Sequence, residues 1–157
     1  IPALRGNASL GKVTKVEATY LVQPLAFHPD LFYYGIHGVE ALYATMGTGC
    51  TTLTRRMEDN LDVTKCTWKD GRVGVFRGLP KSDSTQPLIR LTAEKGTAET
   101  KGAADSEGIV RAIAEFFHTG RTPVDVAQTI EVFEFMTAAQ VSKERGGGEV
   151  KLAELRK

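Results

Sequence analysis

The sequence has few cysteines, almost no net charge and no long apolar run, and each of these absences excludes a class of protein. Two cysteines, Cys50 and Cys66, are too few for a disulfide framework, and neither stands in a CxxC pair. The formal net charge of +1 gives no general attraction to nucleic acid or to an anionic membrane. No apolar run approaches the roughly 20 residues of a membrane-spanning helix. We therefore expect neither nucleic acid nor membrane among the partners.

The glycine patterns that bind dinucleotide phosphates are also missing. Gly47-Thr48-Gly49 is short and follows a predicted helix, whereas a dinucleotide fingerprint follows a strand and opens a helix. The GxSxG and HExxH motifs are absent as well. We therefore predict no cofactor-binding and no metal-binding residues for this chain alone.

What is present describes one globular domain. The 157 residues are enough for a core, and 41% of them are apolar and 25% charged. We expect a single domain over 1–157. Because the first residue is Ile rather than Met, we expect a fragment or a processed product. The location of the parent protein stays open, with the cytoplasm favoured.

Hydrophobic periodicity predicts both strands and helices. Alternating segments predict strands over 11–22, 50–56, 62–69, 72–79 and 87–98, with a short last strand over 149–152. The small, polar segment 96–108 is expected to be a surface loop. Apolar residues at three- and four-residue spacing predict helices over 37–46, from about Ser106 to Thr119, and from an N-cap at Thr122 with Pro123 in the first turn. In this last helix Val126, Ile130, Phe133, Thr137 and Val141 line one face.

The clearest strand pair is joined by Asp70-Gly71, a dipeptide suited to a two-residue type I′ turn. Such a turn would set Trp68 opposite Val73 and Cys66 opposite Val75, all on one side of the sheet. Consecutive hairpin strands with separate helices predict an α+β domain with an open, mostly antiparallel sheet and helices on one face. An open sheet leaves one face to be covered by another domain or by a second copy of the chain.

The best candidates for chemistry lie in FYYGIHGVEALYATMGTGC, residues 32–50. Tyr33 and Tyr34 precede His37, and Glu40 follows it by three residues, so that both can share one helix face. The glycines beside His37 are expected to let a ligand or a second chain approach. A histidine suits proton transfer near neutrality, but the same spacing fits a residue that only caps the helix. His28, His37 and Glu40 also form a possible metal set.

Five segments, taken in order, resemble the second domain of the Gfo/Idh/MocA oxidoreductases. They are GKVTKVEATY, HPDLFYYGIHGVEALYATMGTGC, TWKDGRVGVFRG, AEKGTA and TPVDVAQTIEVFEFMTAAQVSKERGGGEVKL, and the resemblance runs from about Leu10 to Leu152. It implies an α+β fold of the kind found in the C-terminal domain of glyceraldehyde-3-phosphate dehydrogenase. It also implies a parent protein in which an N-terminal Rossmann domain, missing from this chain, binds NAD or NADP. That parent would transfer hydride to or from a sugar-like or polyol substrate.

The resemblance also implies roles for individual residues. His37 matches the histidine of the D-x-x-x-H motif, which assists the proton at the substrate oxygen, and His28, Tyr33, Tyr34 and Glu40 are expected near the substrate. Tyr33 stands where the family has aspartate, and a neutral tyrosine cannot stabilise an imidazolium as a carboxylate would. The chain alone is expected to bind no cofactor and to be inactive, and its open sheet is expected to form a homo-oligomer.

Three functions therefore stay open. The first is the substrate-binding and oligomerisation half of an NAD(P)-dependent oxidoreductase. The second is a carbohydrate-binding or assembly module that has lost catalysis, which Tyr33 favours. The third is a metal-dependent lyase or hydrolase that uses His28, His37 and Glu40.

Overall fold

The structure is a computed structural model that describes residues 8–23, 25–28, 30–80, 86–101 and 106–156. The strands are β1 (Val13–Val22), β2 (Cys50–Glu58), β3 (Leu61–Trp68), β4 (Val73–Pro80), β5 (Leu88–Ala93), β6 (Gly96–Lys101) and β7 (Val150–Lys151). The helices are α1 (Gly35–Met46), α2 (Ser106–Thr119) and α3 (Val126–Glu144), with 3-10 helices at Ala8–Leu10, Asp30–Phe32 and Leu152–Leu155.

All the strands belong to one open sheet in the order β6-β5-β1-β4-β3-β2-β7. Only the β1–β4 pair is parallel among the described strands. It is parallel because the chain leaves β1 through α1 and returns to its side after the β2–β3 hairpin. The predicted α+β fold with an open, mostly antiparallel sheet is therefore confirmed.

Helices α1 and α3 pack together on one face of this sheet, α1 over β1 and β4 and α3 over β2. The large side chains between these layers are almost completely buried, and they include Leu42, Tyr43, Leu53, Trp68, Phe76 and Phe135. The Tyr43 ring lies between Trp68 and Phe135, with ring centroids 5.5 and 5.8 Å away. Burial raises the pKa of the Tyr43 phenol, so it stays neutral in the folded protein.

The glycines beside His37 serve this packing, and the expectation that they admit a ligand was wrong. A Cβ at Gly38 would lie 2.4 Å from the Phe76 ring and 2.8 Å from Tyr20 Cβ. A Cβ at Gly35 would lie 2.9 Å from Leu31. The space beside each glycine is therefore filled by the protein's own core, which brings α1 close to the sheet.

The predicted register of the β3–β4 hairpin was also wrong. Cys66 pairs with Gly74 and Thr67 with Val73, because the loop contains four residues, 69–72, rather than two. A side chain at position 74 would come within 2.7 Å of both Cys66 Sγ and the Trp68 indole. The Trp68 indole therefore needs a glycine opposite its neighbour on the same face, Cys66, and Val73 and Val75 fall on the opposite face of the sheet.

Two element boundaries differ from the predictions for simple physical reasons. The N-cap of α3 is Asp125, whose carboxylate accepts a hydrogen bond from Ala127 N at 2.9 Å, and not Thr122. Residues 96–101 form strand β6 rather than a loop, because backbone pairing to β5 holds an edge strand without apolar side chains.

The two cysteines are free and buried on neighbouring strands. Leu53 lies opposite Cys66, and Cys50 lies opposite Trp68 on the same pair of strands. Burial raises the pKa of the Cys66 thiol, which donates a hydrogen bond to Gly74 O at 3.1 Å. A thiol that is held neutral and covered in this way is chemically inert.

Ion pairs line the sheet face that α1 and α3 leave uncovered. Glu17 pairs with Lys15 at 3.1 Å and with Arg77 at 3.3 Å. Lys65 pairs with Glu58 at 2.8 Å on the neighbouring strands. Burial acts to raise the pKa of Glu17, but its hydrogen bonds and the charges of Lys15 and Arg77 outweigh burial and lower it. This face therefore combines ion pairs with apolar side chains, since Val63 and Val75 lie opposite Arg77 and Lys65 on neighbouring strands.

Candidate functional site

The predicted site residues lie where the chain enters α1. The 3-10 helix Asp30–Phe32 comes directly before them, and Leu31 is fully buried in the core. The Phe32 ring packs on Phe133 of α3, with a centroid distance of 6.0 Å. Because these neighbours are anchored, Tyr33 and Tyr34 are held at the surface, where each is 41% exposed.

An aromatic platform, formed by the rings of His28, Tyr33, Tyr34 and His37, covers this surface. His28 stacks on Tyr33 with an interplanar angle of 11° and a centroid distance of 6.5 Å. Tyr33 meets Tyr34 edge to face at 4.8 Å, and Tyr34 meets His37 in the same way at 6.3 Å. The structure therefore brings together the predicted aromatic residues in a continuous row.

Glu40 completes this group as the acidic partner of His37. Its Oε2 lies 3.3 Å from His37 Nδ1, and the two side chains are 56% and 63% exposed. The separation of three residues on α1 places them on one helix face, as the sequence predicted. In the tautomer whose Nδ1–H donates a hydrogen bond to Glu40, Nε2 carries no proton and is the acceptor that faces solvent.

Tyr33 and Tyr34 were given the same predicted role, but the structure places them differently relative to His37. Tyr34, not Tyr33, is the ring next to His37, while Tyr33 lies between Tyr34 and His28. The carboxylate beside His37 therefore comes from Glu40 on the helix and not from the position of Tyr33.

The described residues do not fit a dinucleotide cofactor. A phosphate cradle needs a glycine-rich turn that joins a strand directly to a helix. Here β1 and α1 are separated by residues 23–34, and the glycines that follow, Gly35 and Gly38, are closed by Leu31 and Phe76. These residues therefore provide no phosphate cradle.

His28, His37 and Glu40 do not converge as metal ligands. No group of three or more His, Cys, Asp or Glu in the part of the chain that the structure describes could hold a metal ion. The rings of Tyr33 and Tyr34 lie between His28 and His37 in the platform. The lyase or hydrolase alternative therefore gains no support from the geometry.

A charge cluster around Arg55 anchors the site, and it was not predicted from the sequence. Arg55 is 1% exposed, and its Nε donates to Asp62 Oδ1 at 2.8 Å. Its Nη2 donates to Asp30 Oδ2 at 3.1 Å and also contacts Asp62. Lys143, in the last turn of α3, pairs with the same Asp30 oxygen. The available signal was an arginine two residues after Leu53, at an inward position in the alternation of β2.

This cluster fixes the 3-10 helix from which the platform extends. Burial acts to raise the pKa of Asp30, but hydrogen bonds and charges from Lys143 and Arg55 outweigh burial and lower it. Asp30 is therefore held as a carboxylate at neutral pH. It links the start of the 3-10 helix to both β2 and α3.

Solved structures define the class of protein that has this fold. No family model matches the chain, and no curated protein matches it in sequence. Dehydrogenases of Gfo/Idh/MocA type match it in structure over nearly its whole length, so the resemblance seen in the sequence is confirmed at the level of fold. Among the described residues, no helix is long and apolar enough to cross a membrane.

Three of these structures illustrate the match. Scyllo-inositol dehydrogenase from Lactobacillus casei, solved with NAD(H) and scyllo-inositol, has a TM-score of 0.76 at 9% identity and is matched over 96% of this chain and 60% of its own. A myo-inositol dehydrogenase from Corynebacterium glutamicum ATCC 13032 has a TM-score of 0.76 at 11% identity, and the match covers 96% of this chain and 59% of that protein. GenD2 from gentamicin A biosynthesis, solved with NAD, has a TM-score of 0.75 at 15% identity, and the match covers 95% of this chain and 58% of that protein. The chain thus spans about three fifths of the length of these proteins.

Proposed function

We propose that this chain is the substrate-binding part of an NAD(P)-dependent oxidoreductase that acts on a sugar or polyol. The observation that carries the proposal is the His37–Glu40 pair, 3.3 Å apart and exposed beside an aromatic platform, in a fold that sugar and polyol dehydrogenases share. His37 is the acid/base that moves a proton at a substrate oxygen through Nε2.

In this proposal Glu40, and not Tyr33, orients the His37 imidazole and stabilises its charged form. A carboxylate that accepts a hydrogen bond from Nδ1 holds the imidazole in the tautomer whose Nε2 is free, and it stabilises the charge when Nε2 takes a proton. Tyr33 offers no carboxylate and is not the ring nearest to His37. The replacement of the family's aspartate by tyrosine is therefore compatible with acid/base chemistry.

The platform suits the shape of the proposed substrate. A sugar or polyol has an apolar C–H face and a polar edge of hydroxyl groups. Tyr33 and Tyr34 offer ring surface for the C–H face. His28, His37 and Glu40 offer hydrogen-bonding groups for the hydroxyl edge. These five residues form the proposed substrate-binding surface, with His37 as the catalytic residue.

The cofactor, NAD or NADP, would be held by a separate dinucleotide-binding domain. That view is supported by the absence of a phosphate cradle in the described residues and by the two fifths of the solved dehydrogenases that lie outside the match. Without that domain the chain would be inactive. A second copy is proposed to pack on the open face of the sheet, as expected for the homo-oligomer.

The test uses the complete protein, meaning the product of the whole reading frame that contains this chain. NAD- and NADP-linked oxidation of a panel of sugars and polyols is followed for the wild type, His37→Gln, Glu40→Gln and the control His118→Gln. His118 lies on the polar face of α2, well separated in sequence from the site. We expect kcat/KM to fall by about 10² to 10⁴ for His37→Gln and to be unchanged for the control.

Two results would contradict the proposal. A His37→Gln enzyme within about twofold of wild type would remove His37 as the acid/base. A complete protein that binds a sugar but oxidises no member of the panel with either cofactor would favour the carbohydrate-binding or assembly module instead.

A further inference from the structure

The aromatic platform extends well beyond the His37–Glu40 pair. From His28 to His37 the centroids of its successive rings are 6.5, 4.8 and 6.3 Å apart. A sugar ring is comparable in width to one aromatic side chain, so a single unit at His37 covers only the near end of this row. His28 and Tyr33, at the far end, then have no part in the proton transfer.

The ring planes divide the platform into two surfaces. His28 and Tyr33 are nearly parallel, with an interplanar angle of 11°, so their faces have a common orientation. The Tyr34 ring is nearly perpendicular to both of its neighbours, at 87° to Tyr33 and 78° to His37. The platform therefore changes orientation at Tyr34. We call His28 and Tyr33, which lie beyond this change as seen from His37, the distal pair.

The distal pair has the chemistry of a surface that binds a neutral sugar unit. Each of its rings has an apolar face and a polar edge, formed by the imidazole nitrogens of His28 and the hydroxyl group of Tyr33. Asp30, two residues after His28, engages both Arg55 and Lys143. The distal pair has no lysine or arginine of its own, so it favours hydroxyl groups over a phosphate or a carboxylate.

Phe27 adds apolar surface directly before the distal pair in the chain. A tight turn, closed by a hydrogen bond from His28 N to Leu25 O at 3.1 Å, presents Phe27 at the surface. Its side chain is 95% exposed, more than any other large apolar side chain that the structure describes. Phenylalanine has no polar group that gains from contact with water, so covering this ring with a ligand is favourable.

We propose that the substrate is a glycoside of at least two sugar units, of which one reacts at His37 while the distal pair and Phe27 hold the other, neutral unit. This inference rests on the proposed function, since it names the substrate class of the same site. The second unit takes no part in the chemistry, and the glycosidic bond stays intact. A free monosaccharide at His37 would leave the distal pair and Phe27 uncovered.

The experiment measures kcat/KM of the complete protein for sets of methyl glycosides, phenyl glycosides and disaccharides that share the same reacting sugar, in α and β linkage. For the preferred sugar we expect a disaccharide to exceed the methyl glycoside by at least about tenfold, because binding energy from a remote unit raises kcat/KM. Phe27→Ala and Tyr33→Ala are each expected to lower this ratio by at least about fivefold. The matched control Phe117→Ala removes an 81% exposed phenylalanine from α2 and is expected to leave the ratio unchanged.

The outcomes separate this inference from the proposed function. Oxidation of methyl glycosides or monosaccharides as efficiently as of every disaccharide would overturn the inference and leave the function standing. A phenyl glycoside that matches or exceeds the best disaccharide would assign the distal pair to an aromatic group and would also overturn the inference. A complete protein that oxidises no compound of these sets with either cofactor would overturn the proposed function, and the inference with it.

Discussion

Replacing Arg55 by methionine tests whether the buried charge cluster holds the site segment in place. Arg55 is 1% exposed and is hydrogen-bonded to two partly buried carboxylates, Asp30 and Asp62, which are 21% and 17% exposed. Methionine keeps the length of the side chain but removes the charge. The carboxylates would then lose their buried counter-ion while still shielded from water.

The magnitude follows from what each carboxylate retains. Removing one partner of a buried ion pair costs about 3–5 kcal/mol. Asp30 keeps Lys143, so only Asp62 loses its main partner. In addition, Arg55 Nη1 has no hydrogen-bond partner among the described residues, and its removal relieves that cost. We therefore expect the low end of the range, about 3 kcal/mol.

Urea unfolding followed by tryptophan fluorescence measures this loss. Trp68 is the only tryptophan in the sequence and is 1% exposed, so its emission reports the core. With an m-value of about 2 kcal/mol/M, a loss of about 3 kcal/mol lowers the midpoint by about 1.5 M. All samples are compared at one protein concentration, since assembly would shift the midpoint.

Arg90→Met is the matched control, because Arg90 pairs with Glu99 on neighbouring strands with both side chains about half exposed. An exposed pair contributes at most about 1 kcal/mol. An Arg55→Met loss below about 1 kcal/mol, or equal to that of the control, would refute the anchoring role.

Two further predictions concern the same region. Because the pKa of Asp30 is lowered on folding, its contribution to the free energy of unfolding is present above its ordinary pKa near 3.8 and is lost as the pH falls through the lower folded value. Acid titration of unfolding should therefore show a shallower loss below about pH 4 in Asp30→Asn than in the wild type, and identical slopes would contradict this. Gly38→Ala should lower the free energy of unfolding in urea by about 1–3 kcal/mol, because the added Cβ would lie 2.4 Å from the Phe76 ring. An unchanged free energy of unfolding would contradict close packing of α1 on the sheet at this position.

The fold was largely predictable because its signals are local. Alternation along β1 and helical spacing in α1 indicated their elements, and Gly47, with φ of 72°, ends α1 as the sequence suggested. The β3–β4 register was not predictable from Asp70-Gly71 alone. It depends on where the Trp68 indole can fit, and only Gly74 leaves that space.

The candidate site was predictable in composition but not in arrangement. The separation of three residues was enough to pair His37 with Glu40. Which tyrosine lies next to His37 depends on how Leu31 and Phe32 anchor the preceding turn, and those contacts reach across to the core and to α3. The Arg55–Asp30 pair joins residues 25 positions apart and leaves no local pattern.

Titration of NADH and NADPH tests the central claim, that this chain holds the substrate half of a site whose cofactor half belongs to another domain. Dinucleotide fluorescence is followed against the 157-residue chain and against the complete protein. We predict saturable binding by the complete protein in the range of about 1 μM to 1 mM, typical of enzyme substrates, and none by the shorter chain. Saturable binding by the shorter chain, or its absence from the complete protein, would contradict the claim.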